Sequence, residues 1–230
     1  MPSQDELWYA AKATEVVFAP SKLLETFGET CVDYFVLAEV LDEVGQLRIR
    51  KGRVTAQHPR VVLPRYLANQ ALENFGEEAK EYAEQFLRSQ EGLRIIQYGL
   101  NFSKEEYGEE TVQGEIREIA DQIRKDAEKD EANLCGVIIG VDDLWEVSLF
   151  HFISDLVHRS LPHNAREMAG RGLLDLSGGV PNAVRIEIQN DFRAAEGSKE
   201  QVTALGEKLR SYGLFDEYQD RFFELYSSVR

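Results

Sequence analysis

The stretch LCGVIIGVDDLWEVSLFHFISDLVHRSL, Leu134 to Leu161, decides the fold. Leu134 to Ile139 is a continuous apolar run with β-branched Val137, Ile138 and Ile139, closed by Gly140. It is too short for a helix and reads as a strand buried on both faces. After Asp143 the period lengthens. At about 100° per residue, Trp145, Leu149, Phe152, Ile153 and Leu156 share one side, and His151, Ser154, Asp155 and His158 share the other. A strand buried on both faces and an amphipathic helix need more strands beside them and more helices over them.

Working outward toward the N-terminus, Ser3 with Glu6 matches a capping box, and Leu7, Trp8 and Ala11 form the inner face of a short first helix. Glu15 to Ala19 is compatible with more helix or with a strand. Leu23, Leu24 and Phe27 fit a second short helix between Pro20 and Gly28. Cys31 to Val40, CVDYFVLAEV, is aromatic and β-branched and predicts a long strand, followed by a turn at Asp42 to Gly45. Leu47 and Ile49 then alternate with Arg48 and Arg50, and Val54 and Ala56 with Arg53 and Thr55. With a tight turn at Lys51-Gly52 the pattern predicts a β-hairpin with one apolar face. A helical region follows from Pro64, a strand from Leu93 to Phe102, a charged loop from Ser103 to Glu110, and an amphipathic helix through Val112, Ile116, Ile119, Ile123 and Ala127.

Beyond Leu161, Pro162 predicts a turn and Asn164 a new helix that ends at Gly170 and Gly172. Leu176 to Asn182 reads as a loop, and Val184, Ile186 and Ile188 alternate with Arg185 and Glu187 as in a half-exposed strand. AAEGSKEQ is a linker candidate, with Ser198 capping a helix that stops at Gly213. Phe215, Tyr218, Phe222 and Tyr226 line a terminal helix. The expectation is an α+β fold, with mixed α/β as the alternative: a mixed sheet with a β-hairpin, covered by amphipathic helices. Residues 1–195 form the main domain, and 196–230 a helical appendage docked on it.

The 230 residues carry 41 acids against 26 lysines and arginines, a net charge of -15, which repels nucleic acid and anionic membranes as a whole. Cys31 and Cys135 lie in apolar runs without metal-ligand spacing and read as buried free thiols of a reducing compartment. The N-terminus shows no basic region followed by an apolar stretch, and no apolar run approaches a membrane span, so a cytoplasmic location is expected.

Against this acidity, no acid occurs between Val44 and Leu72, an interval holding Arg48, Arg50, Lys51, Arg53, Arg60, Arg65 and His58. Two arginines opposed across a hairpin need an anion to compensate them. That anion is either a partner's phosphate or carboxylate, or the chain's own acids between Glu73 and Glu131. Asp142-Asp143 stands at the end of the buried strand. The pair suits either a divalent cation or the start of the next helix, where Asp143 and Glu146 match a capping box. His151, Asp155 and His158, with His163 nearby, offer transition-metal spacing on what is also the water-facing side of the helix. Ser177, Gly178 and Gly179 belong to no phosphate-loop or nucleophile motif.

With no catalytic signature, the leading expectation is a non-catalytic cytoplasmic binding or regulatory protein without a cofactor. It would engage an acidic or phosphorylated protein through the basic hairpin. One alternative is a metal-dependent hydrolase or phosphoryl-transfer enzyme built on Asp142 and Asp143 or on His151, Asp155 and His158. The other is a structural subunit of a homo-oligomer held by the terminal aromatic helix.

Overall fold

The computed structural model describes residues 2–41, 43–61, 72–73, 76, 78–79, 82, 102–129, 134–178 and 180–229. Most of the expected helix after Pro64, the strand from Leu93 and the candidate Arg65 lie outside these residues. Two compact units divide the chain, Met1–Glu167 and Met168–Arg230.

The first unit is an α+β structure around a mixed six-stranded sheet. Its elements are α1 (Gln4–Ala13), β1 (Glu15–Phe18), β2 (Thr30–Glu39), β3 (Gln46–Ala56), β4 (Leu72–Glu73), β5 (Phe102–Gln113), α2 (Ile116–Glu128) and β6 (Cys135–Ile139), followed by α3 (Trp145–Gly170). The strand order is β1-β6-β2-β3-β5-β4. Strand β6 runs parallel to β2 and antiparallel to β1, and β4 runs parallel to β5, while β3 lies antiparallel between β2 and β5. The central strand is buried on both faces as its composition requires. Ile138 packs with Val32, Tyr34, Val36, Phe152 and Ile153 under α1 and α3, while Cys135 and Val137 pack with Leu37, Ile49 and Ala120 under α2. The Ser3–Glu6 capping box opens α1, and Glu15–Phe18 is strand, not helix.

The predicted hairpin at Lys51-Gly52 is overturned. Strand β3 is continuous from Gln46 to Ala56, and the hairpin is instead β2–β3, closed by the turn before Gln46. The apolar residues change phase because the sheet is covered on both faces: Ile49 enters the α2 core, whereas Val54 and Ala56 enter the α3 core. Gly52 marks the crossover. A Cβ there would run into the Glu105 carbonyl and the Tyr34 hydroxyl, so the glycine serves close backbone approach, not a turn. Opposite it, β5 carries a bulge. Lys51 faces Gly108 and Gly52 faces Glu106, which leaves Tyr107 as the extra residue. The charged segment predicted as a loop is therefore strand. It pairs along β3, with Glu109 against Arg50 and Glu105 against Arg53, and opposite charges directly across a ladder stabilise it.

Further expectations are also corrected. Leu23 to Phe27 are irregular chain with a bend at Thr26 and Phe27, not a helix. Cys31 is exposed, and only Cys135 is buried. Pro162 does not end the helix but lies within α3. A helix-interior proline forfeits a backbone hydrogen bond. Tertiary anchors on either side hold the segment: Ser160 accepts from the Leu24 amide at 3.0 Å, and buried Asn164 donates to the Leu24 carbonyl at 3.0 Å and to Thr26 Oγ1 at 2.9 Å.

The second unit holds a two-residue ribbon, β7 (Leu176–Ser177) with β8 (Val180–Pro181), and three helices, α4 (Asn182–Ala194), α5 (Lys199–Ser211) and α6 (Phe215–Ser228). The predicted strand around Val184–Ile188 is helix. Val184, Ile188 and Phe192 recur every four residues on the buried face, and Ile186 is exposed. Ser198 caps α5 by accepting from the Gln201 amide. Lys208 reaches Glu187 at 2.7 Å and Asp191 at 2.5 Å. Burial works against its charge, but the two carboxylates outweigh it and hold the ammonium above its ordinary range. In α6, Phe222 packs edge-on to Phe215 at 5.3 Å and stacks on Tyr226 at 6.3 Å, while Phe223 and Tyr226 stay exposed.

Candidate functional site

Continuity of β3 splits the basic island between the two faces of the sheet. Arg48 and Arg50 share the α3 face with Val54 and Ala56, whereas Lys51 and Arg53 lie on the α2 face with Leu47 and Ile49. Each of these four meets an acid of the same chain. Arg53 forms a two-point pair with Asp33, its direct cross-strand neighbour, at 2.6 and 3.1 Å. That hydrogen bond, and then the Asp33 charge, push its guanidinium above its ordinary range. Lys51 lies 3.8 Å from Glu110. Arg60 donates to Gln57 Oε1 at 3.3 Å. Among the described residues the compensating acids are Asp33, Glu109, Glu110 and Asp142, of which Glu109 and Glu110 fall within the expected Glu73–Glu131 interval but sit on a strand.

The α3 face assembles two sequence candidates into one site. At the end of β6 a short 3-10 turn, Asp142–Leu144, starts α3 and brings Asp142 over β3. Arg48 Nη1 donates to Asp142 Oδ2 at 2.6 Å and Arg50 Nη1 donates to Oδ1 at 2.7 Å. Both carboxylate oxygens are thereby committed to guanidinium groups, a charge-assisted arrangement. A cation at Asp142 would have to displace two arginines. On the outer side of the pair, Glu109 lies 3.2 Å from Arg48 Nε and 2.9 Å from Arg50 Nε. The Arg48 Nε–H is buried and not aligned for a hydrogen bond to it. Asp142 is 8 % exposed and Arg50 11 %, but Glu109 is 50 % exposed.

Trp145 continues the site, with the Arg50 guanidinium 5.2 Å and the Lys104 ammonium 4.5 Å from its ring centroid, both cation–π contacts. Lys104 is buried and pairs with Glu106 at 2.8 Å and with Glu146. Glu146 does not close the expected capping box with Asp143. Its other oxygen accepts from the Gly76 amide at 2.8 Å, and among the described residues no side chain caps the Asp142–Leu144 turn. A Cβ at Gly76 would meet that oxygen, so a larger residue there would have to push the Glu146 carboxylate aside. Tyr34 lies beneath, its ring 6.3 Å from Trp145 and its hydroxyl without a hydrogen-bond partner among the described residues. Burial, and then the charges of Glu106 and Glu146, push its phenol well above the usual tyrosine range.

The remaining candidates are not brought into this site. Asp143 is exposed. His151 Nε2 stands 4.0 Å from Asp155 Oδ2 on α3, and His163 Nε2 stands 3.5 Å from Glu167. Among the described residues no group of three or more His, Cys, Asp or Glu side chains could hold a metal ion. Ser177 pairs with Val180 in the β7–β8 ribbon and Gly178 lies in its turn, with Arg185 donating to the Ser177 carbonyl at 2.8 Å; Gly179 lies outside the described residues.

Sequence reasoning missed Lys104, Glu106, Glu109, Trp145 and Tyr34 as parts of one site. The readable signal was the density of acids in Ser103–Glu110 so soon after an acid-free basic stretch. Two short segments of opposite charge and similar length suit neighbouring strands.

Fold and site together define a mixed-sheet α+β protein that holds an arginine pair between an inner and an outer carboxylate. No protein-family model, curated protein or solved structure matches the chain. Among the described residues no helix is long and apolar enough to cross a membrane.

Proposed function

We propose that this chain is a non-catalytic binding or regulatory protein that engages an acidic protein partner through Arg48 and Arg50. One observation carries the reading: two guanidiniums, two residues apart on one strand face, are fixed from behind by Asp142 and already hold a half-exposed carboxylate in front. Arginine forks fixed in this way lose little freedom on capturing an anion. Lys51 and Arg53 face the other side of the sheet and are left out of the surface. The net charge of -15 disfavours nucleic acid as the partner. Free Cys31 and Cys135 suit a reducing, cytoplasmic setting.

The test is fluorescence anisotropy with a labelled hexaglutamate peptide and the full chain, native and Arg48→Gln. At 29 % exposure Arg48 is the safer of the two arginines to change. Losing one charged hydrogen-bond donor should weaken binding by about 10- to 100-fold. Equal binding by the two proteins would remove the arginine pair from the function. Stoichiometric metal in native mass spectrometry, together with metal-dependent hydrolysis, would replace this reading with the enzyme alternative.

A further inference from the structure

The bulge in β5 determines which acid meets the arginines. Phe102, Lys104 and Glu106 alternate on the α3 face. The extra residue, Tyr107, reverses the alternation, so that Glu109 returns to that face opposite Arg50 while Val112 turns into the α2 core. Bulges commonly re-aim a side chain in this way. Glu109 is therefore delivered to the pair by a backbone irregularity.

We propose that Glu109 is an internal stand-in for the partner's carboxylate. It occupies the outer side of the guanidinium pair in the free protein and is displaced by an aspartate, glutamate or chain-terminal carboxylate of the partner. This rests on the binding reading above and adds its ligand chemistry and its regulation. The ligand chemistry follows from the shape already held: one carboxylate oxygen against Arg48 Nε at 3.2 Å and the other against Arg50 Nε at 2.9 Å. A planar two-oxygen group spans the pair, which points to a carboxylate before a tetrahedral phosphate.

The regulation follows from unequal burial. Asp142 holds the same guanidiniums from a site 8 % exposed, so taking it away leaves Arg50, 11 % exposed, with a largely buried charge, whereas Glu109 at 50 % exposure exchanges with solvent at little cost. The buried Arg48 Nε–H, unaligned with Glu109, offers a donor to a better-placed oxygen. Exposed Glu106 shares the α3 face with the pair and repels extended anionic surfaces. Its field is screened beyond about 8 Å at physiological salt, so a single carboxylate on a side chain can still reach the pair.

The test uses the same labelled hexaglutamate probe at physiological salt with the full chain and with Glu109→Gln and Glu109→Ala, each checked for an unchanged melting temperature. Removing the competitor should tighten binding by about five-fold. In nitrogen-edited NMR spectra of labelled arginine side chains, the Arg48 and Arg50 Nε–H signals should move on titration. If both Glu109 variants bind as the native chain does while Arg48→Gln loses binding, the competitor role is overturned and the binding reading survives. No binding by the native chain or by either Glu109 variant overturns both. Tighter capture of a phosphoserine peptide than of hexaglutamate by Glu109→Ala overturns the carboxylate assignment.

Discussion

Arg50 and Arg53 lie three residues apart on one strand, and each pairs with one aspartate at under 3 Å, yet the two pairs are different physical objects. Arg53 meets Asp33 across the β2–β3 ladder, 20 residues away in sequence, with side chains 38 % and 17 % exposed. Arg50 meets Asp142 from across the fold, 92 residues away, at 11 % and 8 %. Water competes for the first pair and hardly touches the second. Burial, not distance, therefore ranks them. The pair that is energetically decisive is the one that no local pattern in the sequence announces.

The largest expected effect comes from breaking the inner pair on one side. Asp142→Ala leaves Arg48 and Arg50 facing each other with only half-exposed Glu109 between them, and should cost about 3–5 kcal/mol by urea unfolding. A loss below about 1 kcal/mol would mean that these arginines are solvated after all, and the contrast with Arg53 would disappear. Arg48→Gln should cost less, because its side chain is the more exposed of the two.

An intermediate effect reads the opposite face of the sheet. Cys135 stands in register with Asp33, and burial, followed by the Asp33 charge, pushes its thiol up to about 12. A folded-state value raised above the unfolded one, near 8.5, favours the fold fully below about pH 8.5; that stability is lost as the pH rises toward the folded value. By pH 10 the loss attributable to this thiol is about 2 kcal/mol. The urea midpoint should fall between pH 8 and pH 10 in the native chain and fall less in Cys135→Ala. Parallel curves would show that thiolate burial is not what limits alkaline stability.

What could be read from the sequence follows the same division between local and distant causes. Leu134–Leu161 gave up its strand and helix because a doubly buried strand and a one-sided helix leave different local periods. Ser3 with Glu6 was readable for the same reason, since a cap is complete within four residues. The phase change at Lys51-Gly52 was ambiguous. A turn restores one apolar face, whereas a straight strand between two cores needs both, and only the presence of α2 and α3 on opposite faces decides between them. The Val184–Ile188 alternation was equally consistent with a helix whose next inward residue is Phe192. Pro162 was misread because the bonds that hold its helix come from Leu24 and Thr26, some 140 residues earlier. In the site, both halves were found from composition, but Asp142 was expected to meet a metal or a helix start. Its pairing with Arg48 and Arg50 depends on strand order, which periodicity does not encode.

The smallest expected effect completes the contrast. A double-mutant cycle on Arg53→Ala and Asp33→Asn should give a coupling of about 0–1 kcal/mol, despite the two-point geometry and the Tyr107 ring 5.7 Å from the guanidinium. Raising the salt to 1 M shortens the screening length to about 3 Å, so this coupling should vanish, while an Arg50–Asp142 cycle should retain most of its value because ions in solution do not reach between buried partners. If instead the two couplings fall together with salt, the inner pair is as accessible as the outer one. The guanidiniums would then lack the rigid hold that both the binding reading and the displacement of Glu109 require. The salt dependence of these two cycles therefore tests the stability ranking and the proposed site with the same four side chains.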